Sequence, residues 1–280
     1  MTTLVALVGA DQRGQDFYRP CSLYLASDSR ISWQVSGRTI SWDSGRKVFA
    51  STTRPDLLAY VGDVFFPSLA LAQIISAIDA NAFYPESATP SERFSLITAS
   101  LKESFAGLPV ENQRGFTIMY ATRESEKLDC TFHMFTLTWS LKRGWDEERL
   151  ELPQTSSSIL VLGSGEAAVE KWQKRWQSST QGGTSRAVFS AFCNAIYSGQ
   201  DPRSGGAPQL VGLYRIGPGR AFGIVHNEKP FLLGMQMDEI AAEAATVEWR
   251  NTGFERCDSK GNLLPDAQRH HIPRGLQKKA

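Results

Sequence analysis

Cysteine and histidine are scarce in this chain, and neither is arranged for metal binding. The four cysteines lie far apart and include no C-x-x-C pair, and the four histidines form no H-x-x-x-H or H-E-x-x-H pair. Such pairs are typical of zinc sites and redox dithiols, and closely spaced cysteines are typical of disulfide frameworks. We therefore expect no metal, no cofactor and a reducing, cytoplasmic setting.

Charge of one sign and long apolar runs are also lacking. The 30 Lys and Arg residues nearly balance the 29 Asp and Glu residues, giving a net charge of +1, which provides no electrostatic reason to expect nucleic acid or membrane as a partner. The apolar start, MTTLVALVGA, has no basic segment and stops at Asp11, which is too short for export or for spanning a membrane. With 280 residues and 41% hydrophobic content, the chain can build a sizeable hydrophobic core, so we expect a soluble globular protein.

The order of predicted elements indicates two sheets between helical layers. Apolar and alternating patterns predict strands at 3–8, 22–26, 38–41, 47–50, 57–61, 116–121, 130–138, 158–162, 210–215 and 221–225. Helical spacing predicts helices around 71–78, from the capping box at Thr89 and Glu92, at 166–176 and around 188–196. The helices do not alternate singly with strands, so βαβ units are excluded and two sheets packed face to face are the simplest arrangement.

The end of the chain has a different character. Residues 241–250 are predicted to be partly helical, and beyond Asp258 the sequence is polar and interrupted by Gly and Pro. We predict one domain over 1–245 and a C-terminal extension over 246–280, whose last twenty or so residues are loosely ordered.

Thr2 is the first residue that could carry chemistry. A small second residue permits removal of Met1, which leaves a hydroxyl and a free α-amine on the same residue. Such an amine titrates at about 7.7 to 8.0 and can take the hydroxyl proton during attack on an amide carbonyl. Taken alone, an ordinary chain start explains Thr2 better, so its neighbours decide the interpretation.

A carboxylate and an ammonium lie at strand ends that could flank Thr2. Asp28 closes the second predicted strand and Lys47 opens a later one. A charged Lys47 would lower the proton affinity of the amine and hydroxyl of Thr2, while Asp28 would hold Lys47 charged and oriented. Separately, each is more often a solvated surface charge.

Glycine and hydroxyl residues at other strand ends extend this set. Gly62 ends a strand, so its backbone N–H could approach a tetrahedral oxyanion. Ser164 lies in a Gly-Ser-Gly turn, and Asp201 and Ser204 lie in the run Asp-Pro-Arg-Ser-Gly-Gly. These three side chains could hydrogen-bond the terminal amine, although plain turn chemistry also explains them.

Taken in order, these motifs resemble a proteasome β-type subunit or the related HslV peptidase. The resemblance comprises Thr-Thr at 2–3, Ala-x-Asp-Ser-Arg at 26–30, Lys-Val at 47–48, Gly62, Gly-Ser-Gly at 163–165 and Asp-x-x-Ser-Gly-Gly at 201–206. The chain continues past the usual end of that fold, which most resembles divergent bacterial proteasome homologues. The resemblance implies an α+β, four-layer αββα sandwich of the N-terminal-nucleophile hydrolase type.

The same resemblance implies a threonine-type endopeptidase that forms an acyl-ester on its first residue once Met1 is removed. It assigns the nucleophile and base to Thr2, the activating pair to Lys47 and Asp28, the oxyanion donor to Gly62 and the support of the amine to Ser164, Asp201 and Ser204. It assigns the substrate pocket to Ile31, Tyr60 and Val64. Tyr60 and Asp63 depart from the usual small residues there, which bears on substrate preference.

The resemblance also implies an assembly. We expect a homo-oligomer of stacked hexamer or heptamer rings with the sites facing an inner chamber, acting on polypeptide or peptide substrates. An ATPase unfoldase is a further partner of the kind such rings use. Neither nucleic acid nor a membrane is expected.

Three other interpretations stay open at this stage. A dinucleotide-binding unit matches G-x-G-x-x-A at 163–168, but it lacks the required acid, since no Asp or Glu lies between Glu170 and Asp201. A ring of the same fold with weak or no peptidase activity, acting by binding, is the main non-enzyme alternative. A hydrolase of small amides on this fold is the third.

Overall fold

Two β-sheets packed face to face form the centre of the protein. The computed structural model describes residues 2–12, 18–269, 271, 273 and 276. In chain order the strands are β1 (Thr3–Gln12), β2 (Tyr18–Ser27), β3 (Ile31–Val35), β4 (Arg38–Trp42), β5 (Val48–Ala50), β6 (Asp56–Gly62), β7 (Phe116–Glu124), β8 (Thr131–Ser140), β9 (Gly144–Leu150), β10 (Ser157–Gly163), β11 (Gln209–Tyr214), β12 (Arg220–His226), β13 (Lys229–Leu232), β14 (Met235–Gln236), β15 (Trp249–Asn251) and β16 (Arg256–Cys257). The α-helices are α1 (Phe65–Asp79), α2 (Pro90–Ala106), α3 (Glu166–Gln177), α4 (Ser185–Tyr197) and α5 (Glu239–Ala244).

The first sheet contains the first strand and the last strands in chain order. Its order is β10-β1-β2-β11-β12-β13-β14, and β15 runs parallel to β12 while also pairing with β16. The second sheet has the order β5-β6-β7-β8-β9, with every strand antiparallel to its neighbour. Strands β3 and β4 form a separate two-stranded ribbon.

Three large apolar cores define the layers of the protein. One core lies between the second sheet and α1 and α2, one between the two sheets, and one between the first sheet and α3 and α4. In β1, Leu4, Ala6 and Val8 belong to the middle core, while Val5 and Leu7 face the helices. Because both faces of β1 are covered, its sequence is a continuous apolar run. The layer order is therefore αββα, as the sequence predicted.

The helix boundaries follow their capping residues. In α2 the Thr89 side chain accepts from the Glu92 backbone and the Glu92 side chain accepts from Thr89, so the predicted capping box is confirmed. The Thr184 hydroxyl similarly caps α4 by accepting from the backbone of Ala187. None of the helices among the described residues combines the length and apolar character needed to cross a bilayer.

The structure contains strands that the sequence did not predict, namely β3, β9 and β13 to β16. Helix α5 (Glu239–Ala244) confirms that 241–250 is partly helical, and β15 begins at Trp249 within the same range. Strand β15 pairs with β12, so the extension continues the sheet of the main domain; the boundary at residue 245 stays a prediction. The loosely ordered end was predicted for about the last twenty residues, and it falls partly on 270, 272, 274, 275 and 277–280, which lie outside the described residues. Before those residues, Leu264 donates a backbone hydrogen bond to Arg256.

Candidate active site

Strand β1 lies between β10 and β2 in the first sheet. Thr2 lies at the edge of the sheet where β1 begins and where β2 and β10 end. Thr3 lies opposite Gly163 of β10 and donates its N–H to Asp28 Oδ1 at 2.9 Å. The Thr2 carbonyl accepts from the Ser164 N–H at 3.0 Å. Backbone contacts on both sides therefore fix the position of Thr2.

The hydroxyl of Thr2 is the unusual atom of this site. Thr2 is fully buried, and its Oγ1 has no hydrogen-bond partner among the residues that the structure describes. A buried hydroxyl without a partner costs about 1–3 kcal/mol of stability, so such a group needs an explanation beyond packing. Such a hydroxyl is explained if its partner is a bound substrate.

A buried ion pair lies beside the start of β1. Lys47 Nζ is 2.8 Å from Asp28 Oδ1, and both side chains are 0% exposed. The ammonium also donates to the carbonyl of Arg30 at 2.5 Å. Asp28 accepts in addition from the backbone N–H groups of Thr3, Arg30 and Gly205. The predicted Asp28 and Lys47 pair is thus brought together at the same carboxylate that holds the Thr3 nitrogen.

Burial and charge act on Lys47 in opposite directions. Loss of solvent lowers the pKa of the Lys47 ammonium below its usual 10.5, and the charge and hydrogen bond of Asp28 oppose that shift. Buried groups whose pKa is shifted by desolvation and by a specific charge partner are concentrated at functional sites. The pair is also a point where the fold is vulnerable, because two desolvated charges are stable only together.

A chain of hydroxyls connects Asp201 to the first strand. Asp201 Oδ2 accepts from Ser164 Oγ at 2.5 Å and from Ser204 Oγ at 2.7 Å. The Ser204 hydroxyl is also 2.6 Å from Thr3 Oγ1. Burial raises the pKa of Asp201, but the hydrogen bonds from Ser164, Ser204 and Arg203 outweigh it, so the pKa lies below its usual value. The carboxylate is therefore ionised at neutral pH.

The contacts of Thr3 with Ser204 and of Gln209 with its neighbours were not foreseen from the sequence. Thr3 bonds Ser204, whereas the sequence suggested only that Ser204 supports the amine of Thr2. The buried Gln209 side chain accepts from the Lys47 N–H at 3.0 Å and donates to the carbonyls of Asp28 and Gly45 at 3.0 and 2.8 Å. Gln209 thus holds the backbone of both charged residues. It lies 162 positions from Lys47, and a single glutamine in a strand has no sequence signal for this role.

Two glycines allow the turn after β10 to approach the start of β1. Gly163 has φ +103°, and a Cβ there would lie 1.7 Å from the Thr2 carbonyl oxygen. At Gly165 a Cβ would lie 2.0 Å from Thr3 Oγ1 and 3.3 Å from Ser204 Oγ. Side chains at these positions would displace the residues that hold Thr2.

The remaining predicted residues lie around this group. Gly62 ends β6 with φ +104°, and a Cβ on it would overlap the Gly115 carbonyl. Ile31 is buried at the start of β3, in contact range of Gly45. Tyr60 is fully buried in the core under α1 and α2, with Val64 packed against the same core. The roles assigned to these side chains in oxyanion and substrate binding stay predictions.

The dinucleotide interpretation does not fit the observed topology. The Gly-Ser-Gly turn joins β10 to α3, but β10 is antiparallel to β1, whereas the nucleotide-binding fold needs parallel strands. Gly163 is also in close contact with Thr2. Among the described residues, no group of three His, Cys, Asp or Glu side chains could hold a metal ion.

Comparisons with known proteins give weak similarities. No protein-family model matches the sequence, and the search of curated proteins returns no match. Matching solved structures include eukaryotic HslV from Trypanosoma brucei, BPH from Thiobacillus denitrificans in complex with epoxomicin, and the helical assembly of the Anbu complex from Pseudomonas aeruginosa. In that order the identities are 10%, 15% and 15%, and the TM-scores 0.44, 0.42 and 0.47. The alignments cover 75%, 76% and 78% of this chain and 99%, 99% and 86% of those chains. Values this low say nothing about the activity of this chain.

Proposed function

We propose that this protein is a threonine-type peptidase in which Thr2, freed of Met1, is the nucleophile. One observation supports the proposal above the others. A fully buried Asp28–Lys47 pair lies at the start of β1, next to a buried Thr2 hydroxyl that has no partner within the part of the chain that the structure describes. An inactive fold gains nothing from this combination, because each buried group lowers stability unless it is fully paired.

The proposed reaction begins with transfer of the Thr2 hydroxyl proton to the α-amine of the same residue. The oxygen then attacks the carbonyl carbon of a peptide bond, and the carbonyl oxygen becomes an oxyanion. The positive charge of Lys47 stabilises the forming alkoxide, while Asp28 keeps Lys47 oriented. Gly62, at the end of β6, is the proposed donor to the oxyanion.

Collapse of the tetrahedral intermediate breaks the C–N bond and leaves an acyl-ester on Thr2. The ammonium of Thr2 returns its proton to the leaving amine. A water molecule then attacks the ester, the α-amine takes one of its protons, and that proton passes to the Thr2 oxygen as the acid product leaves. Ser164, Asp201 and Ser204 are proposed to hold the amine in place through their hydroxyl and carboxylate groups.

Assembly and substrate form a second part of the proposal. A stacked ring of identical chains would confine the sites to a chamber and select polypeptides that can enter it. An ATPase unfoldase is a candidate partner that would deliver unfolded polypeptide to the chamber. A ring without peptidase activity and a hydrolase of small amides would share the fold. These alternatives differ from the proposal in what Thr2 does.

The test is intact-protein mass spectrometry before and after treatment with a peptide epoxyketone, which reacts with a hydroxyl and a free α-amine on one residue. We expect loss of Met1 and one adduct on Thr2, absent from the Thr2→Ala variant. Retained Met1 would contradict the mechanism, because a peptide nitrogen cannot serve as the base. A mature Thr2 without adduct would favour the non-enzymatic ring.

The pH dependence of adduct formation gives an independent prediction. The rate should rise with pH through the pKa of the Thr2 α-amine, at about 7.7 to 8.0, because only the neutral amine accepts the proton. Asp201, with its lowered pKa, is already ionised there and adds no step. The rate should fall again at high pH, below the usual 10.5 of lysine, as Lys47 with its lowered pKa loses its charge. Labelling rates measured between about pH 5 and 10 follow both the rise and the fall. A labelling rate that rises instead at the acidic pH where carboxylates titrate would contradict the assignment of the α-amine as the base.

A further inference from the structure

Arg30 links both members of the buried ion pair through its backbone. Its N–H donates to Asp28 Oδ2 at 3.1 Å, and its carbonyl accepts from Lys47 Nζ at 2.5 Å. The place of the Lys47 ammonium therefore depends on where the Arg30 peptide groups lie. In the sequence, Arg30 stands out only as the last residue of the motif at 26–30.

The guanidinium of Arg30 connects a second loop. Its Nη1 donates to the Pro202 carbonyl at 3.1 Å, and Gly205 lies so close that a Cβ there would be 2.5 Å from the Arg30 Cζ. The Gly205 N–H in turn donates to Asp28 at 3.0 Å. One side chain thus sets the spacing between the loop of Asp28 and the loop of Asp201.

Asp43 fixes the orientation of that guanidinium. Arg30 Nε and Nη2 bind the two oxygens of Asp43 at 2.7 Å each, in a bidentate arrangement. Arg30 precedes β3 and Asp43 follows β4, so the pair closes the base of the β3–β4 ribbon. Bidentate pairs define geometry more sharply than single contacts, and the hydrogen bond with Arg30 lowers the pKa of Asp43, keeping it charged.

We propose that Asp43 is a positioning residue for the reaction at Thr2, acting through Arg30 on Lys47 and Asp28. The proposal rests on the proposed function. Among the described residues, Asp43 forms no hydrogen bond with Lys47 or Thr2. Burial lowers the pKa of Lys47, and the charge of Asp43 opposes that shift less than the charge and hydrogen bond of Asp28 do, so the main effect of Asp43 is one of geometry. Without the carboxylate, the guanidinium can turn toward solvent and the two loops can shift relative to each other.

Exposure separates this role from a structural one. The side chains of Arg30 and Asp43 are 25% and 41% exposed, and exposed pairs contribute little to stability. A change at Asp43 should therefore leave the melting temperature nearly unchanged while it alters the chemical step. A residue that only supports the fold would show the reverse.

The experiment measures epoxyketone labelling of Thr2 in the full chain, separating the initial binding constant from the maximal rate of adduct formation. Asp43→Asn should lower the maximal rate roughly tenfold or more, leave initial binding within about twofold, and change the melting temperature by no more than about 2 °C. Asp43→Glu, which keeps the carboxylate, should recover part of the rate.

Asp266→Asn is the matched control. Asp266 forms an exposed 2.7 Å pair with Arg256 far from the site in sequence, and its variant should label like the parent. An unlabelled parent would contradict the proposed function itself. A labelled parent with an unchanged rate in Asp43→Asn, or a rate loss matched by a large fall in melting temperature, would overturn the positioning role alone.

Discussion

Replacing Lys47 by Met should abolish labelling of Thr2 and lower the free energy of unfolding by about 3–5 kcal/mol. The Asp28 carboxylate would stay buried and ionised without its cation, and the Thr2 oxygen would lose the charge that stabilises its alkoxide. Urea unfolding measures the first effect, and mass spectrometry of the epoxyketone adduct measures the second.

A double variant separates the two effects. In Lys47→Met with Asp28→Asn both charges are gone, so part of the lost stability should return while labelling stays absent. The recovery is incomplete because an amide cannot accept at both positions where the carboxylate takes backbone N–H groups. Lys102→Met is the matched surface control, since Lys102 forms a half-exposed pair with Glu147; it should change stability by less than about 1 kcal/mol and leave labelling intact. Normal labelling of a folded Lys47→Met variant would exclude Lys47 from the chemistry.

Gly163→Ala should be the most damaging single methyl addition near the site. The backbone there has φ +103°, and the new Cβ would overlap the Thr2 carbonyl oxygen, which cannot move without breaking its bond to Ser164. We expect a loss of about 4 kcal/mol in the free energy of unfolding, combining backbone strain and overpacking, together with a loss of labelling.

Gly183→Ala is the control for backbone strain alone. Gly183 has φ +73°, and a Cβ there would meet nothing within 4 Å. This variant should cost about 1 kcal/mol and leave the rate of labelling unchanged. If Gly163→Ala and Gly183→Ala unfold at the same urea concentration, the close approach of β10 to Thr2 does not contribute to the free energy of unfolding.

The buried strands and helices could be predicted because local pattern and tertiary structure agree in them. The run in β1 is apolar on both faces and is covered on both faces, and the capping box of α2 is formed by residues three apart. Strand β9 was missed because its central residues, Asp146 to Arg149, are charged and exposed at the sheet edge. Strand β3 was missed because its alternating Ile, Trp and Val lie in a ribbon whose apolar face is largely open to solvent.

The site could be predicted as a set of residues but not as a network. Asp28, Lys47, Ser164, Asp201 and Ser204 all lie at strand ends or turns, where the sequence gives a local signal. Their contacts with Gln209 and Thr3 depend on strand register over long separations, which no local pattern records. The pocket residues are a different case, since the sequence did not indicate that Tyr60 is enclosed in the core under the helices.

The strand order of the first sheet also sets when the candidate site can be completed during synthesis. Strand β1 pairs with β10, and β2 pairs with β11, so these partners of the first thirty or so residues emerge from the ribosome long after them. The Asp28 carboxylate receives the Gly205 N–H, and Lys47 receives Gln209, only once that late segment has docked. A nascent or truncated chain would therefore carry Asp28 and Lys47 without the late contacts from Gly205 and Gln209 that hold them in place, so we expect the proposed reaction at Thr2 to require the complete first sheet.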